Sequence, residues 1–303
     1  MTTNLAEIAT DMEFSPEEIQ HMLDNLDNFD AEELKEIDKI VEELSTRNAN
    51  QASRDDLIEF CKRMQPDYKV GRHHRILADQ LMALEDGSKD RVCVNIPPRH
   101  GKSQLVSIFY PAWFLGRNPD KKVMMVSHTT DLAVDFGRKV RNLIGVADYK
   151  EIFPDVSLAV DSKSAGRWNT NFGGEYFACG IGSALAGRGA DLLLVDDPHS
   201  EQDVINGNFS VFDKAYEWFT FGARTRLMPG GRVAIVQTRW HMDDLTGRVT
   251  NDMVKNELSD QYEIVEFPAL LDSDDGTKKP LWPEFFDLAA LERTKASMPA
   301  FQW

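Results

Sequence analysis

The stretch Val92-Cys93-Val94-Asn95-Ile96-Pro97-Pro98-Arg99-His100-Gly101-Lys102-Ser103 constrains this chain more than any other. An apolar run that reads as a buried strand gives way to a tight Pro-Pro loop, and Gly-Lys-Ser then opens a helical pattern. That order of residue types suits phosphate. Backbone N–H groups of the loop and of the helix N-terminus face an anion, a lysine reaches the β- and γ-phosphates, and a serine hydroxyl holds Mg²⁺. The eight-residue form of the pattern would place its first glycine at Ile96, so the loop departs from it at that position. The candidate nucleotide contacts here are Pro98, Arg99, His100, Gly101, Lys102, Ser103 and Gln104.

A second stretch strengthens the reading. Asp191-Leu192-Leu193-Leu194-Val195-Asp196-Asp197 is an apolar strand ending in paired acids, the form of a strand whose terminal carboxylate binds the nucleotide's Mg²⁺. Asp196 and Ser103 are therefore the candidate metal ligands. A third buried run, Arg232 to Val236, ends in Gln237-Thr238-Arg239-Trp240-His241, where Gln237 or Thr238 can sense the γ-phosphate or position water. Val123 to Val126 and Ile264-Val265 read as further strands. Helical spacing follows the phosphate loop at Leu105, Ile108, Phe109 and Ala112, and recurs at Leu132, Phe136, Val140 and Leu143 after a cap at Thr129 or Thr130. Strand-helix alternation of this kind, with continuous apolar strands, predicts an α/β fold with a mainly parallel central sheet flanked by helices.

The rest of the chain is less specific. Residues 162–177 read as short strands and turns, and 180–189 as a flexible glycine-rich loop carrying Arg188. Residues 200–227 are helical and aromatic, Pro229-Gly230-Gly231 reads as a turn, and a helix is expected at Leu288 to Ala296. Before the core, Ser15-Pro16-Glu17-Glu18 and Asp30-Ala31-Glu32-Glu33 are capping signals for acidic amphipathic helices. Those helices are either a solvated appendage or a docking element for a basic partner. Asn48 to Ser53 reads as a linker, giving an expected division into an appendage (1–56), an ATPase core (57–270) and a segment leading onward (271–303). Leu57 to Leu84 is helical with a break at Pro66. Adjacent His73 and His74 point to different sides of a helix in this reading, which disfavours one shared metal; they could instead lie over a bound base or simply pack.

Charge matters here by its distribution. The net charge of −16 is concentrated in residues 1–60, which hold 17 acids against 4 Lys/Arg. The remainder is nearly neutral, which argues against indiscriminate nucleic-acid binding but not against a DNA partner at one face. Cys61, Cys93 and Cys179 lack zinc or disulfide spacing and read as small core residues. No window is apolar enough for a membrane span, and the N-terminus carries acids where a signal peptide has basic residues, so a soluble intracellular protein is expected.

Taken in order, Pro97 to Ser103, Val126-Ser127-His128-Thr129, Gly187 to Pro198 and Thr238 to Leu245 resemble the ATPase domain of the large terminase subunit of tailed double-stranded DNA bacteriophages. The resemblance implies an ATP- and Mg²⁺-dependent motor that packages double-stranded DNA into a procapsid. It further implies a homo-oligomeric ring docked on the portal protein in the host cytoplasm, with a small terminase subunit choosing the DNA. A nuclease domain would follow Trp303, so no endonuclease activity is expected of this chain. The resemblance assigns Asp197 as the catalytic carboxylate, one methylene shorter than the family's glutamate, with Glu201 in reserve. Gln237 and Thr238 match its coupling motif. His74 stands where the family commonly has an adenine-contacting glutamine, and Tyr68, where the resemblance begins, is taken as a nucleotide contact beside it. Arg188 matches an arginine that reaches a neighbouring subunit's ATP site, and Arg99 is its rival in cis. The alternatives are a helicase-like ATPase, which would need a second motor domain, a small-molecule kinase indifferent to DNA, and a non-enzymatic nucleotide-holding scaffold.

Overall fold

The computed structural model describes residues 30–162, 164–273 and 275–297. The chain divides into two compact units, residues 1–52 and 53–303. The described part of the first is residues 30–52, in helix α1 (Ala31–Asp55), whose first turn is capped by Asp30 Oδ1 accepting from the Glu32 N–H at 2.8 Å. The expected linker at Asn48 to Ser53 is helical. It holds no glycine or proline, and its residues cost a helix only a few tenths of a kcal/mol each, so the helix runs on to Asp55. The helix expected at Ser15-Pro16 lies outside the described residues.

In the second unit, α2 (Leu57–Met64) is capped by Asp56, which accepts from Ile58 N and Glu59 N. Pro66 lies in the break before α3 (Arg72–Asp86). A seven-stranded sheet follows, with strands β1 (Arg91–Asn95), β2 (Lys122–Ser127), β3 (Arg167–Asn169), β4 (Glu175–Gly180), β5 (Ala190–Asp196), β6 (Leu227–Gln237) and β7 (Glu263–Glu266). Its order is β3-β4-β2-β5-β6-β1-β7, parallel throughout except for β3 against β4. The connecting helices are α4 (102–117), α5 (Thr130–Ile144), α6 (Ala147–Ile152), α7 (Glu201–Ile205), α8 (Ser210–Glu217) and α9 (Leu245–Lys255). A small hairpin of β8 (Leu270–Asp272) and β9 (Lys278–Pro280) and then α10 (Leu288–Ala296) complete the described chain.

Alternation along the strands sends side chains to two covered faces. Val92, Val94, Met125, Leu192, Leu194, Ala234 and Val236 join the core built with α2 to α6, whereas Cys93, Met124, Val126, Leu193, Val195, Val233 and Ile235 pack with Phe219, Leu245 and Val249. All three cysteines are buried and free, as small core residues. Thr129 is the cap of α5, its hydroxyl accepting from Leu132 N. Pro229-Gly230-Gly231 is not a turn between elements but the early part of β6. Ala190 pairs with Leu227 and Leu192 with Arg232, so the intervening β6 residues bulge, with Gly230 at φ 75. Among the described residues no helix is long and apolar enough to cross a membrane.

Candidate functional site

The strand order decides which side chains meet. Because β6 lies between β1 and β5, the carboxyl ends of these three parallel strands deliver Asn95, Gln237 and Asp196 to one edge of the sheet. The Pro97–Gly101 loop springs from that edge. Ile96 N donates to Gln237 O at 3.0 Å, and beyond it Arg99 (φ 63) and Gly101 (φ 78) both take left-handed backbone to turn the chain into α4. α4 begins at Lys102–Gln104, passes through a π-helical turn at Leu105–Phe109 and ends as Tyr110–Arg117. π-turns of this kind concentrate at functional sites.

Lys102 Nζ lies 2.8 Å from Asp197 Oδ2, joining the loop to the end of β5. Asp197 itself is held tightly. Its backbone is left-handed at φ 43, its N–H donates to Val236 O, its carbonyl accepts from His128 N, and its Oδ1 accepts from Thr238 N at 2.9 Å. The Thr238 hydroxyl in turn donates to Ile96 O at 3.2 Å, so Thr238 ties the loop to the acidic strand.

Asp196 is buried. The Ser107 hydroxyl donates to its Oδ2 at 2.6 Å, while its Oδ1 has no partner among the described residues. Desolvation, reinforced by the neighbouring Asp197 charge, pushes its carboxyl up to about 6, against the opposing pull of Lys102, Ser107 and Ser103. Ser107 was not a sequence candidate. The signal was present in the i, i+4 spacing of Ser103 and Ser107, which puts two hydroxyls on one helix face. Gln237 is 1% exposed, and among the described residues neither its Oε1 nor its Nε2 has a partner.

The remaining candidates divide. Pro98 and Arg99 are exposed at the loop. His100 is buried with Nδ1 2.8 Å from Pro98 O, and Gln104 donates to Gln65 Oε1. Tyr68 packs inward, edge-on to Phe109 at 5.3 Å. His73 and His74 do not point to different sides: their ring centroids are 4.0 Å apart and both rings turn to one backbone carbonyl, that of His100. His74 Nδ1 accepts from Gly71 N and its Nε2 meets the His100 carbonyl, so both ring nitrogens are engaged within the chain. Desolvation and the neighbouring His73 lower it to about 3, so the ring is neutral at ordinary pH. Glu201 is exposed in the first turn of α7 and makes no hydrogen bond or ion pair among the described residues, so it is not drawn into the lysine–aspartate cluster.

Arg188 is also paired within the chain. It does not project freely. Its guanidinium lies over the Phe177 ring at 4.6 Å and pairs with Glu175 at 3.1 Å, because the planar cation gains both a ring face and a counter-charge there. The later motif residues anchor α9. Asp244 caps it by accepting from Gly247 N and pairs with Arg239 at 2.7 Å, and His199 Nε2 accepts from Leu245 N.

The residues fit a magnesium nucleotide. Asp196 presents an orphaned, buried carboxylate oxygen beside the Ser103 and Ser107 hydroxyls, a hard-oxygen donor set. Among the described residues no cluster of three or more His, Cys, Asp or Glu could hold a metal. A magnesium ion completed by phosphate oxygens and water needs no such cluster.

Residues 93–298 match a protein-family model described as the T4-like-virus-type large terminase subunit, N-terminal. Among solved structures, the large terminase of bacteriophage HK97 is similar at a TM-score of 0.48 and 15% identity, over 77% of this chain and 48% of that one. An ATPase-domain mutant of the Thermus phage P74-26 large terminase is similar at a TM-score of 0.46 and 18% identity, over 77% of this chain and 90% of that one. The chain thus spans about half the length of the HK97 protein. No curated protein matches. The assignment rests on the family model and not on these distant likenesses.

Proposed function

The chain belongs to the T4-like large terminase family, within the N-terminal part of that subunit, and from this membership we propose that it is an ATP-hydrolysing motor domain that drives double-stranded DNA into a viral procapsid. The observation that carries the proposal is the 2.8 Å contact of Lys102 with Asp197 beside the buried Asp196. That contact supports reading Lys102 as a mobile cation, Asp197 as a base and Asp196 as a metal-binding carboxylate, beside a loop whose N–H groups can face an anion.

In this reading Lys102 leaves Asp197 for the β- and γ-phosphates when ATP enters. Ser103 and Asp196 would hold the Mg²⁺, which would supply charge neutralisation at the phosphates. Asp197, released from the lysine but still fixed by Thr238 N, orients and deprotonates the attacking water. Water oxygen bonds to the γ-phosphorus, the bond to the β–γ bridging oxygen breaks, and ADP and phosphate leave. Gln237, buried with free amide atoms at the same edge, registers whether the γ-phosphate is present. Pro98, Arg99, His100, Gly101 and Gln104 shape or flank the loop.

The proposed partners are double-stranded DNA, a portal protein, a small terminase subunit and further copies of this chain in a ring, assembled in the host cytoplasm. The kinase and helicase-like readings have no comparable family support. The test is Mg²⁺-dependent ATP hydrolysis by the purified chain. Lys102→Ala is expected to reduce it to background, and full activity in that variant would defeat the proposal.

A further inference from the structure

Two buried histidines converge on one atom of the phosphate loop. His73 Nε2 and His74 Nε2 each lie 3.0 Å from the carbonyl oxygen of His100, the residue before Gly101-Lys102-Ser103. A carbonyl can only accept, so both Nε2 atoms carry their protons. For His74 the assignment is fixed twice, because its Nδ1 accepts the Gly71 N–H at 2.9 Å. The carbonyl's two lone pairs are thereby both used, and both rings are fully buried.

The rings are themselves braced from the C-terminal side. Trp282 meets His74 edge-on at 4.7 Å and His73 at 5.4 Å, Phe267 meets His73 at 6.2 Å, and Phe286 lies against the His100 ring at 4.9 Å. Gly101 has no side chain where the His74 ring passes, and a Cβ there would collide with His74 Nε2. The loop backbone therefore rests directly on the imidazole.

We propose that His73 and His74 are positioning residues that hold the His100 carbonyl away from the phosphate-binding face, so that the N–H groups after it face the anion, with Trp282 fixing the two rings. This rests on the reading of the loop as the ATP site. A loop carbonyl turned toward phosphate would repel it, and a buried carbonyl deprived of both donors is costly. Because two donors share one acceptor, loss of either leaves the other in place, and loss of both releases the loop.

The test separates hydrogen bonding from aromatic packing. The probe is Mg²⁺ with inorganic tripolyphosphate, which has no base, and binding is measured by calorimetry. His73→Phe/His74→Phe keeps the rings and removes the donors; His73→Gln/His74→Gln keeps an N–H near each Nε2 and removes the rings. The phenylalanine pair is expected to weaken tripolyphosphate binding about tenfold or more, and each single phenylalanine variant by much less. The glutamine pair should stay within roughly threefold of wild type. Binding by the phenylalanine pair equal to wild type, or a glutamine pair as weak as the phenylalanine pair, overturns the proposal. Failure of the wild-type chain itself to bind tripolyphosphate would overturn the ATPase reading instead. Should the phenylalanine pair fail to fold, the ring ¹⁵N spectrum of wild-type protein decides: protons on Nε2 of both histidines support the clamp, and a proton on Nδ1 of either one refutes it.

Discussion

Asp196 is a carboxylate held where its own charge is unfavourable. Its value of about 6 exceeds that of an unfolded aspartate, so the native state prefers the protonated form. The associated stability is fully present below about pH 4 and is lost as pH rises through about 6. A bound cation would reverse the preference. Asp196→Asn is therefore expected to stabilise the nucleotide-free protein at pH 8, by about 1–3 kcal/mol in urea unfolding, while abolishing ATP hydrolysis. The stabilisation should shrink toward zero at pH 4; an unchanged or lowered urea midpoint at pH 8 would refute the account. Asp197 meets Lys102 and the Thr238 N–H. Asp197→Asn should lower kcat by roughly 10²–10⁴ with little change in nucleotide binding, because a base acts on the attacking water and not on the ground state. Normal turnover in Asp197→Asn together with loss in Glu201→Gln would exchange their roles.

The Pro97–Gly101 loop, proposed to bind phosphate, holds its shape because each end is fixed to a different strand or helix. Its entry is tied by Ile96 N to Gln237 O and by the Thr238 hydroxyl to Ile96 O, and its crest rests on His73 and His74. Gly101→Ala must accept a left-handed backbone, at about 1 kcal/mol, and also displace the His74 ring. Its Kd for Mg-ATP should rise by an order of magnitude or more, and a wild-type Kd would show that the ring yields freely. Continuous apolar runs made β1, β2, β5 and the later half of β6 legible in the sequence, because strands covered on both faces leave no polar positions to confuse the pattern. The meeting of Lys102 with the end of β5 was legible as well, since Gly-Lys-Ser opens the helix that follows one such run and Asp196-Asp197 ends another. The early half of β6 was not, because Pro229-Gly230-Gly231 carries turn chemistry and only pairing of Leu227 with Ala190 reveals a bulged strand. The histidine pair was not legible either. Adjacent residues on a helix diverge at Cβ, and convergence on one carbonyl at the first turn of α3 depends on side-chain torsions that spacing does not encode.

At the scale of the whole molecule, Arg188 is the residue whose proposed role one chain cannot satisfy. It precedes the first residue of β5 and pairs with Glu175, the first residue of the parallel-aligned β4, so it sits at the amino edge of the sheet. Asp196 lies at the carboxyl edge, roughly 20 Å away at about 3.3 Å per residue. Arg188 therefore cannot reach its own chain's ATP site, which removes a cis role and leaves either a structural ion pair or action on a neighbour. The structural alternative has a concrete basis, since Glu175 also receives Arg167 at 2.9 Å. A finger in trans would require Arg188 to exchange Glu175 and the Phe177 face for the developing charge on a γ-phosphate, where an arginine is typically worth about 10³–10⁵ in rate. Assembly then becomes part of catalysis. Specific ATPase activity should rise with protein concentration, and mixing Arg188→Ala with Lys102→Ala subunits should restore turnover that neither has alone. The first variant keeps an intact ATP site and the second an intact arginine, so each mixed interface of the right polarity rebuilds one working site. A mixture that stays as inactive as its components, under conditions where the wild type assembles, would return Arg188 to the structural pairing seen with Glu175.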